Sequence, residues 1–265
     1  MTNRCEICSV DHDLGPLNLN GRGKRILVSA FPKSGTNYLI QFLGSNTGHI
    51  RISHDLLYMG MGIGPRTDGS AAGTGMTIKE MADQLEGFSG KGFGHIPFNY
   101  SFLEAVQARP TTMFVLIRDP KDVIASHYYY VKSKPDVAMN YRFLDDGKLL
   151  SEKDDLVLEL IRLSVPRWKT FIPWIANGAH PIRFEDIRAN ESAACQRIID
   201  LVGDEHKAMA LNDPRTMIAR VNAQRSPTFR RGQVGDWEQV FEPHHIEAYK
   251  DVGMLEIERE LGYGS

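Results

Sequence analysis

Residues able to do chemistry cluster where apolar runs of this 265-residue chain end. The first such place is Pro32-Lys33-Ser34-Gly35-Thr36, which breaks the apolar run 26–31. From Thr36 onward apolar residues recur at Tyr38, Leu39, Phe42 and Leu43, which is helical spacing. A strand, a tight loop and a helix in this order aim a helix N-terminus and several backbone N–H groups at an anion. Lys33 adds a mobile cation, and Ser34 and Thr36 add hydroxyl donors. The chemistry this suits is phosphate binding. The stretch is not a Walker A loop, which needs Gly-Lys followed by Ser or Thr at the helix start; here the lysine precedes the glycine. A plain strand-to-helix turn with a Ser or Thr cap is the other reading of these residues alone.

The same architecture returns at 112–117, the clearest buried strand in the chain. It ends in Arg118-Asp119-Pro120-Lys121-Asp122, followed by helical Val123, Ile124, Ser126, His127 and Tyr130. Two further stretches carry polar chemistry without a core period. Gly94-His95-Ile96-Pro97 sets a histidine at a strand end or turn. Phe229-Arg230-Arg231-Gly232-Gln233-Val234-Gly235-Asp236-Trp237 is basic and punctuated by glycine.

Two strand–turn–helix units in one chain predict an α/β fold of a single domain, a central parallel sheet flanked by helices. In open sheets of that kind ligands sit beyond the carboxyl ends of the strands, so Lys33 and Arg118 would face one crevice. Further elements are expected as a strand within 49–57, short helices at 77–85 and 101–108, and a long amphipathic helix over 156–175 bent by Pro166 and Pro173. A short strand at 181–184 follows, then a helix beginning at Glu185-Asp186 and running through Ile198 and Ile199, and a C-terminal helix from Glu242. Residues 1–22 read as an irregular N-terminal arm and 23–265 as the domain. The glycine-dominated stretch 60–75 reads as a loop, either a lid facing the substrate or a tolerated insertion.

Composition narrows the function classes. With 42% hydrophobic and 24% charged residues the chain is globular. A net charge of −2 supplies no global positive field, so a general nucleic-acid binder is not expected and any phosphate recognition is local. No apolar run reaches the ~20 residues of a membrane span. Three cysteines make no disulfide framework, which points to a reducing, cytoplasmic setting. Cys5-x-x-Cys8 with His12 is half a zinc site, but no second pair completes it, so no metal is expected.

Taken together, the basic elements resemble the sulfotransferase family that uses 3′-phosphoadenosine-5′-phosphosulfate (PAPS). Pro32-Lys33-Ser34-Gly35-Thr36 is similar to its 5′-phosphosulfate loop. Arg118-Asp119-Pro120-x-Asp122 with Ser126 resembles its 3′-phosphate motif. Phe229-Arg230-Arg231-Gly232-x-x-Gly235-Asp236-Trp237 resembles its closing motif, usually Arg-Lys-Gly-x-x-Gly-Asp-Trp, and Phe184-Glu185-Asp186 its Tyr-Glu-Asp segment. The four matches fall in family order.

The resemblance implies a role for each matching position. Lys33 would contact the bridging oxygen and 5′-phosphate, and the N–H groups of Ser34, Gly35, Thr36 and Asn37 would cradle that phosphate. Tyr38 takes the place of an aromatic that stacks on adenine, and Phe184 would line the same base. Arg118, Ser126 and the loop of Phe229, Arg230, Arg231 and Gly232 would hold the 3′-phosphate. That phosphate is a second dianion far from the sulfuryl group, and the planar fork of an arginine can bind two of its oxygens. His95 falls where many members carry the general base; Asp55 is the carboxylate alternative. His54, His127, His244 and His245 stand in no comparable motif and read as ordinary.

Two departures qualify the resemblance. Phe93 stands where many cytosolic members have a lysine, and Glu238 and Glu242-Pro243 replace features of their dimer segment, so that dimer mode does not carry over. The expected activity is sulfuryl transfer from PAPS to a hydroxyl or amine of a small-molecule, lipid or glycan acceptor, releasing 3′,5′-ADP (PAP), with no metal. A P-loop kinase and a non-catalytic nucleotide binder are the alternatives.

Overall fold

The structure is a computed structural model describing residues 25–39, 52–53, 91–133, 150–202 and 231–264. The expectations for Cys5, Cys8, Asp55, residues 60–75 and 77–85, Phe229 and Arg230 lie outside these residues. Five strands form one sheet: β1 (Arg25–Ala30), β2 (Ile52–Ser53), β3 (Lys91–Gly94), β4 (Thr111–Ile117) and β5 (His180–Arg183). Their order is β2-β3-β1-β4-β5, and every pairing is parallel. The chain thus steps from β1 to the outer strand β2, comes back in to place β3 beside β1, and then crosses to the other side with β4. The carboxyl ends of β1, β3 and β4 meet at this reversal, the place where open α/β sheets bind ligands.

The strands lack polar alternation because both faces of the sheet are covered. Leu27, Met113, Val115 and Ile117 face one apolar cluster, while Ile26, Val28, Ala30, Phe114 and Leu116 face another. Successive residues of one strand therefore enter opposite cores, as the period of two requires. Burying each such Leu or Ile stabilises the fold by roughly 1.5–3 kcal/mol.

Seven described helices flank the sheet: α1 (Tyr100–Gln107), α2 (Pro120–Ser133), α3 (Leu156–Ala176), α4 (Phe184–Ala189), α5 (Glu191–Val202), α6 (Pro243–Asp251) and α7 (Met254–Leu261). The first cluster is closed by α2, α3 and the C-terminal pair, through Val123, Ile161, Trp168, Tyr249 and Ile257. The second is closed by α4 and α5, through Ile187, Cys195, Ile198 and Ile199.

Two elements differ from the sequence reading. The helix expected from Glu185 divides at Asn190, whose extended backbone ends α4 while its side chain accepts from the Ala193 N–H to start α5. The C-terminal helix divides at Gly253, held at φ 87°. Helix α3 runs through both Pro166 and Pro173, as the single long helix expected over 156–175 requires. No helix among the described residues is long and apolar enough to cross a membrane.

Candidate active site

The first loop leaves β1 at Phe31, whose ring stacks on Trp168 of α3 with centroids 3.5 Å apart. The Ser34 N–H then bonds back to the Phe31 carbonyl at 3.1 Å, and residues 36–39 turn helical with the Leu39 N–H on the Gly35 carbonyl. The tight turn needs two left-handed residues, Lys33 at φ 70° and Gly35 at φ 96°. A lysine in that region carries a strain of order 1–3 kcal/mol, a signature of sites the surrounding fold over-determines. Gly35 has a second constraint, since a Cβ there would lie 2.6 Å from the Phe184 ring.

Arg118 directly follows β4 and is buried. Its Nη2 donates to the Gln233 carbonyl at 2.6 Å and lies 3.4 Å from Asp122; its Nη1 reaches the Lys33 carbonyl at 3.5 Å. Its guanidinium carbon stands 4.6 Å from the Phe184 ring centroid. One arginine therefore ties the Lys33 loop, the segment after Gly232 and Phe184 together. Asp122, one helical turn on, accepts the Gly235 N–H at 2.9 Å and the Trp237 N–H at 3.1 Å. The sequence places Asp122 in the motif without giving it a task; its task is to dock the C-terminal loop. Gly232 takes φ 60°, and exposed Arg231 makes a long 3.5 Å contact with Gln239.

His95 follows β3 on a segment pinned from three sides. The Ile96 carbonyl accepts from Ser29 Oγ at 2.8 Å and from Trp174 Nε1 at 2.9 Å, and the Phe98 N–H donates to the Thr170 carbonyl at 2.6 Å. The half-buried imidazole donates from Nδ1 to the Ala30 carbonyl at 2.6 Å, which leaves Nε2 unprotonated in the neutral ring. Burial pulls its pKa from 6.5 to about 4 against the effect of that hydrogen bond, and the charges of Lys33 and Arg167 push the same way as burial.

Side chains on α2 add what motif reading missed. Tyr130 lies under Lys33, with Nζ 3.2 Å from the ring centroid. His127 is 3% exposed, and its pKa is driven well below 6.5 by burial, then by Arg167, Lys33 and His95. Lys33, His95, His127 and Arg167 thus form one electrostatic neighbourhood. The signal for Tyr130 is spacing: Arg118, Asp122, Ser126 and Tyr130 recur every four residues. Tyr38 stands apart from this group. Its ring is buried in the second apolar cluster and its hydroxyl donates to Glu191, which leaves Phe184 as the ring that meets Arg118.

Three buried polar atoms of the two loops, Ser34 Oγ, Thr36 Oγ1 and Arg118 Nε, have no hydrogen-bond partner among the described residues. Such atoms cost about 1–3 kcal/mol each unless something satisfies them. All three are donors suited to phosphate oxygens, and they stand beside the fixed turn at Lys33 and Gly35; the Ser34 N–H, expected to cradle the phosphate, is instead spent on the Phe31 carbonyl. The arrangement can hold an anion and set an unprotonated imidazole in the same cationic neighbourhood.

Elsewhere, Asp155, His244 and His245 bring three ligand-type atoms within 4.8 Å of one another. Their bonds argue for a hydrogen-bonded junction and against a metal site. His245 Nδ1 accepts the Glu242 N–H at 2.9 Å, so Nε2 holds the ring proton and donates to Asp155 at 2.9 Å. Binding a cation through that Nε2 would require losing one of these two bonds.

Known proteins resemble this chain over most of its length. The family described as the sulfotransferase domain matches residues 23–254. Sulfotransferase 2A1 of Rattus norvegicus is 24% identical over 255 residues, spanning 86% of this chain and 82% of that protein. Among solved structures, mouse sulfotransferase SULT7A1 complexed with PAP aligns with a TM-score of 0.57 at 17% identity, covering 90% of this chain and 85% of that one. Retinol dehydratase in a complex with retinol and PAP aligns with a TM-score of 0.51 at 14% identity, covering 94% and 84%.

Proposed function

Since the chain belongs to the sulfotransferase domain family, we propose that it moves a sulfuryl group from PAPS to a hydroxyl or amine of a small-molecule, lipid or glycan acceptor. The observation that carries this reading is the set of unpartnered buried donors, Ser34 Oγ, Thr36 Oγ1 and Arg118 Nε, on the two loops that Arg118 ties together. A donor with phosphates at both its 5′ and 3′ positions gives these atoms partners. The two solved relatives above bind PAP, which carries both phosphates.

Lys33 and the N–H groups of Gly35, Thr36 and Asn37 hold the 5′-phosphate, while Arg118, Ser126 and the loop with Arg230, Arg231 and Gly232 hold the 3′-phosphate. Phe184 lines the adenine. His95 Nε2 takes the acceptor proton as the acceptor oxygen or nitrogen forms its bond to sulfur. The bond from sulfur to the bridging phosphate oxygen breaks in line, and that oxygen leaves with the electron pair as part of PAP. The Lys33 ammonium stabilises the charge as it develops.

Calorimetry with 3′,5′-ADP and with 5′-ADP tests the reading. The 3′-phosphate should tighten binding at least tenfold, the equivalent of about 1.4 kcal/mol for one charge-assisted contact. Equal affinities would overturn it.

A further inference from the structure

Lys33 reaches over the Tyr130 ring, its Nζ 3.2 Å from the centroid, from a backbone fixed at φ 70°. The ring belongs to α2, the helix that follows Arg118 and carries Asp122 and Ser126 on the same four-residue row. Helix α2 is docked at its first turn, where Asp122 binds Gly235 and Trp237, and it packs through buried Val123, Ile124 and Val131. Tyr130 is therefore a fixed surface beside a loop whose strained backbone is also fixed. The flexible part between them is the four-carbon stem of Lys33.

An aromatic face attracts an ammonium through its quadrupole without neutralising it, and more weakly than a phosphate does. Arg167, in the same electrostatic neighbourhood, carries a like charge and does not compete for it. A carboxylate in the ring's place would hold the lysine harder and contest it with the donor.

We propose that Tyr130 is the resting platform of Lys33: its ring holds the ammonium beside the crevice, and the 5′-phosphate of the donor takes the ammonium over when it binds. The inference rests on the reading of Lys33 as a donor contact. Tyr130 is then a positioning residue that acts through its ring face and not through its hydroxyl.

The test uses the full chain with its lysines reductively methylated by 13C-formaldehyde, which keeps their charge. The Lys33 signal is identified by its loss in Lys33→Ala. In the ligand-free protein this signal is expected upfield through the ring current of Tyr130. The shift survives in Tyr130→Phe, disappears in Tyr130→Leu, and disappears in the wild type on adding 3′,5′-ADP. Because platform and nucleotide compete for one ammonium, Tyr130→Leu binds 3′,5′-ADP as tightly as the wild type or more tightly. A signal without upfield shift in the wild type, or a shift that survives in folded Tyr130→Leu, overturns the platform. So does a loss of 3′,5′-ADP affinity in that variant. If the wild type binds no 3′,5′-ADP while the shift is present, it is the donor reading that fails, and the hand-over falls with it.

Discussion

The Nδ1 of His95 donates to the carbonyl oxygen of Ala30 at 2.6 Å. A carbonyl only accepts, so this bond assigns the ring proton to Nδ1 and the lone pair to Nε2. Burial, with Lys33 and Arg167 adding to it, lowers the pKa to about 4. A group that works as a base must be neutral, and one with a lowered pKa stays neutral further into acid. The profile of kcat/KM, which reports the free enzyme, is therefore expected to stay flat through pH 6.5 and to fall only as pH approaches 4. An acid limb centred between pH 6 and 7 would refute the assignment. His95→Ala should lower kcat by about 10²–10⁴ while leaving the affinity for 3′,5′-ADP unchanged.

Arg118 spends its Nη atoms on Gln233, Lys33 and Asp122, which leaves buried Nε for a ligand. Lysine keeps the charge but cannot span these partners. Arg118→Lys should weaken 3′,5′-ADP by about 10–100-fold, the equivalent of one charge-assisted contact, and 5′-ADP far less. Calorimetry on both nucleotides measures the difference, and an equal loss would mean that Arg118 only organises the loops.

The strand–turn–helix units were legible because an apolar run followed by a polar turn and a change of period is a local signal, carried by residues 26–43 and 112–130. The relation of Lys33 to Tyr130 is not local. Spacing puts Tyr130 on the row of Arg118, Asp122 and Ser126, but only the pairing of β1 with β4 brings that row to the Lys33 loop. The junction of Asp155 with His244 and His245 spans some 90 residues and left no motif. Pro166 and Pro173 each remove one N–H, yet α3 continues because its buried face, with Trp168, Phe171 and Trp174, is fixed by the core. Asn190 was missed as a break since one apolar period runs on through Ile187, Ile198 and Ile199.

Gly35 meets two constraints, its φ of 96° and the Phe184 ring 2.6 Å from where a Cβ would sit. Gly35→Ala is expected to destabilise the fold by about 1–3 kcal/mol through the backbone term alone, and to weaken 3′,5′-ADP binding. Adding Phe184→Leu removes the collision but not the strain, so the double variant should recover part of the melting temperature lost by the single one. No recovery would locate the whole effect in the backbone.

Acid should unfold the protein in two windows. His95 and His127 have pKa values lowered by burial, so between pH 6.5 and about 4 the unfolded chain binds protons that the folded one does not, and stability falls as pH falls. Asp155 has the opposite chemistry. Burial would raise it, but the Leu158 N–H, His244 and His245 outweigh burial and bring it from 3.8 to about 2. Its contribution is present above pH 3.8 and is lost as pH falls toward 2. Asn caps a helix as well as Asp does, so Asp155→Asn keeps the start of α3 and removes the titration together with one of the two oxygens that face His244 and His245. Urea midpoints at pH 7, 5, 4 and 3 should fall for both proteins between pH 7 and 4. Below pH 4 the fall should be steeper in the wild type. Parallel curves below pH 4 would show that the Asp155 junction contributes nothing to acid stability.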